Sequence, residues 1–88
     1  MRSIEVSNQF KRDAKKSYLS LLTPAWGEVL NCLTNDLPIP KKYKDHALTG
    51  NYKGFRDCHI KPDLVLIYRV QSDTVDLVRL GSHSEVFD

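Results

Sequence analysis

Apolar residues in the first part of the chain follow one strand-like and two helix-like patterns. Residues 3–7 alternate between apolar and polar, which predicts a short half-buried strand. Ser7 or Asn8 can then cap a helix, whose apolar stripe is Phe10, Ala14, Tyr18 and Leu21. A second stripe follows a capping threonine and a proline at the first helical position, and it comprises Trp26, Val29, Leu30 and Leu33. The spacing therefore predicts two helices with a very short connection.

The second part of the chain contains a long loop followed by three strand patterns. Residues 36–51 lack periodicity, and loops of this length in small domains are usually functional. Residues 52–60 then alternate, so one strand face carries Phe55, Asp57 and His59 and the other carries Arg56, Cys58 and Ile60. Residues 64–70 form a near-continuous apolar run, typical of a central strand covered on both faces, and residues 75–80 follow a tight turn.

These patterns predict an α+β fold with the element order β-α-α-β-β-β. The last three strands form an antiparallel meander, because only short turns connect them. We expect the two-helix hairpin to pack on one face of this small antiparallel sheet and to leave the face with Asp57 and His59 available. A chain of 88 residues has room for one compact core, so residues 1–88 are expected to form a single domain.

Composition and charge add information about partners and compartment. Hydrophobic residues make up 41% of the chain and charged residues 27%, which are ordinary values for a folded protein. The net charge is only +2, but positive charge is concentrated in residues 1–23 and 41–63, and this suits a polyanionic partner. The longest apolar run is too short to span a bilayer, and the N-terminal residues contain no apolar signal core. We therefore expect a cytoplasmic protein without membrane contact.

Alternative interpretations remain for Trp26, for the outer face of the first helix and for the two cysteines. Trp26 could stack on a base, although its place in the apolar stripe favours core packing. The outer face of the first helix is either a solvated surface or a contact for nucleic acid or an acidic partner, and it carries Lys11, Arg12, Lys15 and Lys16. Cys32 and Cys58 are most simply buried reduced thiols, and the sequence leaves a disulfide between them open.

Titratable residues are concentrated in residues 41–63. This segment contains two of the three histidines, three aspartates and six of the thirteen Lys and Arg residues, a density that a packed core would not tolerate. His83 follows the last strand, and we expect that strand to run beside the strand with His59, so that His83 joins this cluster. We interpret the cluster as a functional site.

Paired histidines suit concerted acid–base catalysis, because histidine can take and give a proton near neutral pH. One reaction that needs such a pair is cleavage of RNA by its own 2′-hydroxyl. One group deprotonates that hydroxyl, another protonates the departing 5′-oxygen, and cations stabilise the phosphorane charge. The local cations are Lys44, Lys53, Arg56 and Lys61, and Arg56 points to the helix side if its strand is regular. Asp57 and His59 project from one strand face about 7 Å apart, within reach of one substrate group.

Other chemistries fit the same residues less well. Histidine and aspartate also bind zinc, but the sequence has no close ligand pair such as C-x₂-C. We therefore expect no metal and no other cofactor. Strand alternation separates Cys58 from His59, which weakens a cysteine nucleophile. The plainest alternative for Asp57 and His59 alone is an exposed strand with its polar residues outward.

The second half of the chain resembles the YafQ type of the RelE superfamily, the ribosome-dependent mRNA interferase toxins of bacterial toxin–antitoxin operons. Five matching pieces occur in order: KDH-x-L-x-G, the KG-(aromatic)-RD-x-H strand, the PD connection, LIY, and GSH with an aromatic close behind. The first half matches in helical layout more than in residues. The resemblance implies the compact microbial-ribonuclease-like fold, which agrees with the predicted element order.

The resemblance also implies an activity and its residues. The active-site positions of the family fall on His46, Asp57, His59, Asp63, His83 and Phe87. The implied activity is cleavage of mRNA in the ribosomal A site without a metal. The implied partner is a cognate antitoxin that wraps the toxin, and operator DNA is bound only through the antitoxin complex. The resemblance does not assign which histidine is base and which is acid.

Two functions are compatible with these observations. The first is an active endoribonuclease toxin, and the second is a non-catalytic module that acts with its antitoxin as a DNA-binding repressor complex. The intact polar set favours the first, since Lys and Arg would suffice for phosphate binding without three histidines. For Phe87, near the end of the chain, a hydrophobic plug on the core and a stacking platform for a base are both open. A helical turn over residues 84–88 would place Phe87 on the same face as His83.

Overall fold

The computed structural model describes residues 1–87, and they form a five-stranded sheet with three α-helices. The strands are β1 (Ser3–Val6), β2 (His46–Ala47), β3 (Arg56–Lys61), β4 (Leu64–Gln71) and β5 (Thr74–Gly81). The helices are α1 (Asn8–Lys16), α2 (Pro24–Thr34) and α3 (His83–Phe87), and three short 3₁₀ turns lie at Tyr18–Leu22, Lys41–Tyr43 and Gly50–Tyr52. The α+β class and the order of the six main elements are confirmed. The short strand β2 and the helix α3 are additions to the predicted order.

The sheet has the strand order β1-β5-β4-β3-β2. Strands β3, β4 and β5 form the predicted antiparallel meander. β1 pairs with β5 in parallel, so the sheet is mixed and the prediction of a wholly antiparallel sheet is wrong for this edge. Backbone hydrogen bonds from Ser3 to Asp73 and from Ser7 to Leu77 fix β1 at this position.

Strand β1 and Tyr18 are more exposed than their apolar patterns predicted. β1 is exposed along its length, because it is an edge strand with only one neighbour. Tyr18 is 60% exposed, because α1 ends at Lys16 and the chain continues as a tighter 3₁₀ turn. The change from 3.6 to about 3.0 residues per turn rotates Tyr18 off the apolar stripe.

The predicted strand over residues 52–60 begins later in the structure. Gly50–Tyr52 forms a 3₁₀ turn, Gly54 has a φ of +94°, and β3 starts only at Arg56. A positive φ at this angle interrupts an extended chain, and glycine adopts it without a steric penalty. The predicted alternation over the remaining strand is confirmed, since Cys58 and Ile60 are buried in the main core.

The core has two parts, one on each face of β4. The main cluster lies between the helices and the sheet, where the rings of Phe10 and Trp26 stack with centroids 6.2 Å apart. A smaller cluster on the opposite face is built from Val65, Ile67 and Val86, and α3 supplies the last of these. β4 is therefore covered on both faces as predicted, and the core position of Trp26 is also confirmed.

Both main helices begin at the predicted caps. The Ser7 hydroxyl oxygen accepts a hydrogen bond from the Phe10 N–H at 2.8 Å, and the Ser7 hydroxyl donates to the carbonyl of Val78 at 2.7 Å. The Thr23 hydroxyl oxygen accepts from the Trp26 N–H at 3.4 Å, and Pro24 occupies the first helical position. The second bond of Ser7 ties the start of α1 to β5, so this cap also fixes the helix on the sheet.

Cys32 and Cys58 are both buried and are not joined by a disulfide. Among residues 1–87, no helix combines the length and the apolar character that crossing a membrane requires.

A buried carboxylate, Asp13, joins α1 to the last strand. It accepts hydrogen bonds from the guanidinium of Arg79 at 2.9 Å, the backbone N–H of Leu80 at 2.9 Å and the side-chain amide of Gln9 at 3.0 Å. Burial alone would raise the pKa of Asp13, but the bonds from Arg79, Leu80 and Gln9 outweigh it and hold this pKa below its ordinary value. The charged form of Asp13 therefore stabilises the fold.

We predict that Asp13→Asn lowers the free energy of unfolding at neutral pH by about 3 kcal/mol, because it leaves Arg79 without its partner in a mostly buried position. Since the pKa of Asp13 is lower in the folded state, this stabilisation is present above the unfolded-state pKa and is lost as pH falls through the folded-state value. Urea denaturation of wild type and variant from neutral to acidic pH measures both effects.

The matched control is Asp36→Asn. Asp36 pairs with Arg2 at 3.0 Å, but its side chain is 83% exposed, so the change should cost less than about 1 kcal/mol. Equal effects of the two substitutions would contradict a structural role for the buried charge.

Candidate active site

His46 is held opposite Asp57 by the pairing of β2 with β3. The Nδ1 atom of His46 lies 2.9 Å from the carbonyl oxygen of Lys44 and 3.0 Å from Oδ1 of Asp57. A carbonyl oxygen can only accept, so Nδ1 carries a proton in this arrangement. In the neutral ring Nε2 is then unprotonated, and the His46 side chain is 55% exposed. His46 can therefore accept a proton from a bound substrate.

The segment before His46 is fixed to two strands through Asp45. The guanidinium of Arg56 donates to Oδ2 of Asp45 at 2.8 and 3.2 Å, and the Tyr68 hydroxyl donates to Oδ1. These bonds anchor the loop to β3 and β4, and Lys44 turns the chain there with a φ of +52°. Arg56 was predicted as an RNA-binding cation, and its charge is engaged with Asp45 in this structure.

Asp57 is the most deeply buried charged residue of the site, with 1% of its surface exposed. Its Oδ1 has no hydrogen bond from the described residues, although His46 Nδ1 lies 3.0 Å away. Burial raises the pKa of Asp57, and the nearby charges of His46, His59 and His83 act in the opposite direction. Asp57 therefore interacts electrostatically with all three histidines.

His59 and His83 form a second contact of the site. Their ring centroids are 5.1 Å apart with the ring planes at 65°. The sequence predicted that the last strand runs beside the strand with His59, and this is wrong, because β4 lies between β3 and β5. His83 reaches His59 because it is the first residue of α3, which turns back after β5 and packs against β4 and β5.

The start of α3 is fixed by a reciprocal cap. The Ser82 N–H donates to Oε1 of Glu85 at 2.9 Å, and the Glu85 N–H donates to the Ser82 hydroxyl oxygen at 3.3 Å. These bonds lower the pKa of Glu85. A side chain at Gly81 would lie 3.0 Å from Oε1 of Glu85, so glycine permits this close approach. The S-x-x-E pattern of the sequence is the signal that would have revealed this helix start.

Phe87 lies beside His83 on α3, as the predicted helical turn required, although the last residue of that turn, Asp88, is outside the described residues. The ring centroids of Phe87 and His83 are 5.4 Å apart, and Tyr52 meets Phe87 edge-on at 5.8 Å. Phe87 remains 39% exposed. Phe87 is therefore packed against Tyr52 and His83 and is still partly exposed.

The remaining predicted residues lie around this centre at different positions. Lys44 and Lys61 line a groove of about 300 Å³ together with His59. Asp63 is exposed in the turn between β3 and β4, and the structure shows no ion pair between it and the histidines of residues 1–87. Lys53 follows the Gly50–Tyr52 turn, is exposed and lies outside the groove. Burial raises the pKa of the Cys58 thiol, which disfavours the reactive thiolate.

The structure thus brings together His46, Asp57, His59, His83 and Phe87 from three separate elements. Within residues 1–87, no three His, Cys, Asp or Glu side chains are arranged so that they could hold one metal ion. Asp45 and Tyr68 were missed as site residues, because neither lies in a pattern that predicts their contact. The assembled centre can exchange protons with a substrate and place positive charge beside it.

The sequence matches a known family of bacterial toxins over nearly its whole length. The model of the family described as bacterial toxin of type II toxin–antitoxin system, YafQ, matches residues 2–88. An mRNA interferase toxin YafQ of Escherichia coli is 37% identical over 89 residues, and the alignment covers 98% of this chain and 96% of that protein.

Solved structures with the same fold include toxins from two bacteria. A copper-bound mutant toxin from Helicobacter pylori has a TM-score of 0.90 at 41% identity, with 99% of this chain and 100% of that chain covered. The structure of the Escherichia coli DinJ–YafQ complex has a TM-score of 0.83 at 35% identity, with 100% of both chains covered.

We predict that Asp57→Asn stabilises the protein at neutral pH. The amide keeps the shape of the side chain and removes a buried charge whose pKa is raised by burial. Because the folded-state pKa of Asp57 lies above the unfolded value, the wild type loses stability as pH rises through it. The advantage of the variant should therefore grow with rising pH and disappear at low pH.

Thermal melting of both proteins across this pH range measures the difference. The control is Asp73→Asn in the exposed turn between β4 and β5, which should change the melting temperature little at any pH. A less stable Asp57→Asn protein at neutral pH would show instead that the ion pairs with the histidines outweigh the burial of Asp57.

Proposed function

The chain belongs to the YafQ family of toxins of type II toxin–antitoxin systems, and from this premise we propose that it cleaves ribosome-bound mRNA by attack of the RNA's own 2′-hydroxyl. The observation that carries the proposal is the convergence of three histidines on one buried carboxylate. The name of the Escherichia coli relative, mRNA interferase toxin, supports the same activity.

His46 is the residue that best fits the general base. Its Nδ1 proton is directed to the Lys44 carbonyl oxygen, and Nδ1 lies 3.0 Å from Oδ1 of Asp57, so the neutral ring presents an unprotonated Nε2. When Nε2 takes the proton of the 2′-hydroxyl, the positive ring lies 3.0 Å from Asp57 and is stabilised by it. Asp57 itself is buried and acts by orienting and stabilising the base.

His59 and His83 then supply the acid and positive charge. The two rings contact each other, so one protonated ring can donate to the departing 5′-oxygen while the other lies beside the developing phosphorane charge. The proton gained by His46 and the proton lost by the acid balance over the reaction. Asp63 and Phe87 complete the proposed site, Asp63 at its edge and Phe87 as a stacking surface for a base.

Binding of a cognate antitoxin is the second part of the proposed function. The Escherichia coli relative forms a complex with DinJ. In this chain the exposed basic residues of α1 adjoin the exposed apolar residues of the next turn, and together they comprise Lys11, Arg12, Lys15, Lys16, Tyr18, Leu19 and Leu22. An amphipathic acidic segment of an antitoxin complements such a surface. Operator DNA would be contacted through the antitoxin complex.

The proposed reaction requires no metal ion, and the product ends test this directly. Attack by the 2′-hydroxyl leaves a 2′,3′-cyclic phosphate, or its opened 3′-phosphate, on the upstream fragment. A metal-activated water leaves a 3′-hydroxyl instead. The mutant toxin from Helicobacter pylori was solved with copper bound, so the ends should be determined with and without a copper chelator.

We predict that His46→Ala, His59→Ala and His83→Ala each lower cleavage on programmed ribosomes by on the order of 10²-fold, while the domain stays folded. A synthetic mRNA with a bridging 5′-sulfur at the cleavage site separates their roles. A thiolate leaves without protonation, so the variant that lacks the acid should be rescued and His46→Ala should not. Melting curves of the three variants provide the control for folding, and wild-type cleavage by all three would overturn the acid–base proposal.

For Phe87 we predict that replacement by alanine reduces cleavage by about tenfold or more, because base stacking is worth roughly 1–3 kcal/mol. The melting temperature should change little, since the ring is already 39% exposed. The matched control is Phe10→Ala, because Phe10 is 5% exposed in the main core. That change should cost about 3–5 kcal/mol. A loss of stability with Phe87→Ala as large as with Phe10→Ala would favour the core plug instead.

A further inference from the structure

A groove extends from His59 along the end of β3. One wall is formed by residues 42–44, at the end of the Lys41–Tyr43 turn, and the other by residues 59–62. Tyr43 and Ile60 are buried and form its apolar base, whereas Lys42, Lys44 and Lys61 are exposed. The groove has a volume of about 300 Å³, at the lower end of the range of small-ligand pockets and sufficient for a single nucleotide.

The positive charge around the groove favours an anionic ligand. Three lysines line it and no acidic residue does. Glu28 lies outside the lining and pairs with Lys42 at 3.5 Å, and this contact raises the pKa of Lys42. The Lys42 side chain is still 67% exposed, so its ammonium group can turn to a ligand. Three lysines around a narrow groove suit consecutive phosphates of a single strand.

We propose that this groove binds the single-stranded RNA next to the cleaved bond, with Lys42, Lys44 and Lys61 on its phosphates and an apolar base for ribose or base contact. The inference rests on the proposed function, because His59 belongs both to the groove and to the catalytic centre. An RNA strand whose scissile phosphate meets His59 therefore continues directly into the groove. An acidic antitoxin segment is the competing ligand for the three lysines. Its chemistry does not require contact with His59, whereas an RNA strand cleaved at the catalytic centre must pass this residue.

The proposal divides the basic residues of the segment into two groups. Lys42, Lys44 and Lys61 bind substrate, while Arg56 serves the loop anchor through Asp45. Lys41 provides an internal control, because it lies on the same 3₁₀ turn, is exposed and does not line the groove. Lys42→Gln, Lys44→Gln, Lys61→Gln and Lys41→Gln remove one charge each and keep the side-chain length similar.

The first experiment measures binding of the full chain to a short RNA oligonucleotide that carries 2′-O-methyl groups and cannot be cleaved. Titrations at several salt concentrations give the slope of log K against log [salt]. We expect each groove substitution to reduce this slope by about 0.7, the value for one phosphate contact on a single strand. Lys41→Gln should leave it unchanged. Equal slopes for all proteins, or no binding by wild type, would overturn the proposal.

The second experiment measures cleavage on programmed ribosomes. The groove variants should raise KM severalfold and leave kcat near the wild-type value, because the lysines bind the substrate away from the proton transfers.

If the variants weaken antitoxin binding but not oligonucleotide binding, the groove belongs to the antitoxin. If the groove variants cut mRNA as well as the wild-type protein does, the groove proposal is wrong and the proposed function stands. If the groove variants lose oligonucleotide binding but the wild-type protein cuts no mRNA, the proposed function is wrong and the groove proposal stands.

Discussion

The site depends on one buried carboxylate, Asp57. A charge with 1% exposure and one oxygen free of hydrogen bonds from the described residues is unfavourable in a small domain unless positive groups surround it. The side chains beside it that can carry positive charge are His46, His59 and His83, and they come from β2, β3 and α3. Asp57 therefore gives three separate elements a common centre. The same burial makes the centre responsive to protonation, since the charge of Asp57 is best tolerated when the histidines are protonated.

Local polar contacts make this arrangement possible in so short a chain. β2 has only two residues, too few to hold His46 by strand pairing alone. Asp45 adds bonds to Arg56 and Tyr68 directly before it, and Tyr68 is 2% exposed and rigidly packed. On the other side of the site, the reciprocal cap of Ser82 and Glu85 fixes α3, which has only five residues. Each short element is thus positioned by a side chain next to the functional residue.

The sequence predicted the helices and strands in which apolar residues repeat regularly. It missed the parts of the fold that depend on polar contacts between residues far apart in the chain. Alternation correctly placed Cys58 and Ile60 in the main core, and it correctly described β4 as covered on both faces. The parallel pairing of β1 with β5 has no local signal. His83 was assigned to the cluster for the wrong geometric reason, because α3 rather than strand adjacency brings it to His59.

Histidine around Asp57 suits the proposed catalysis better than it suits stability. Lysines at the same positions would compensate the buried charge as well, and they would remain protonated at neutral pH. They could therefore donate a proton but not take one from the 2′-hydroxyl. In the proposed reaction, histidine would let the charge around Asp57 change, whereas lysine would keep it constant. The groove carries permanent charge instead, on Lys42, Lys44 and Lys61, which we propose to bind substrate only.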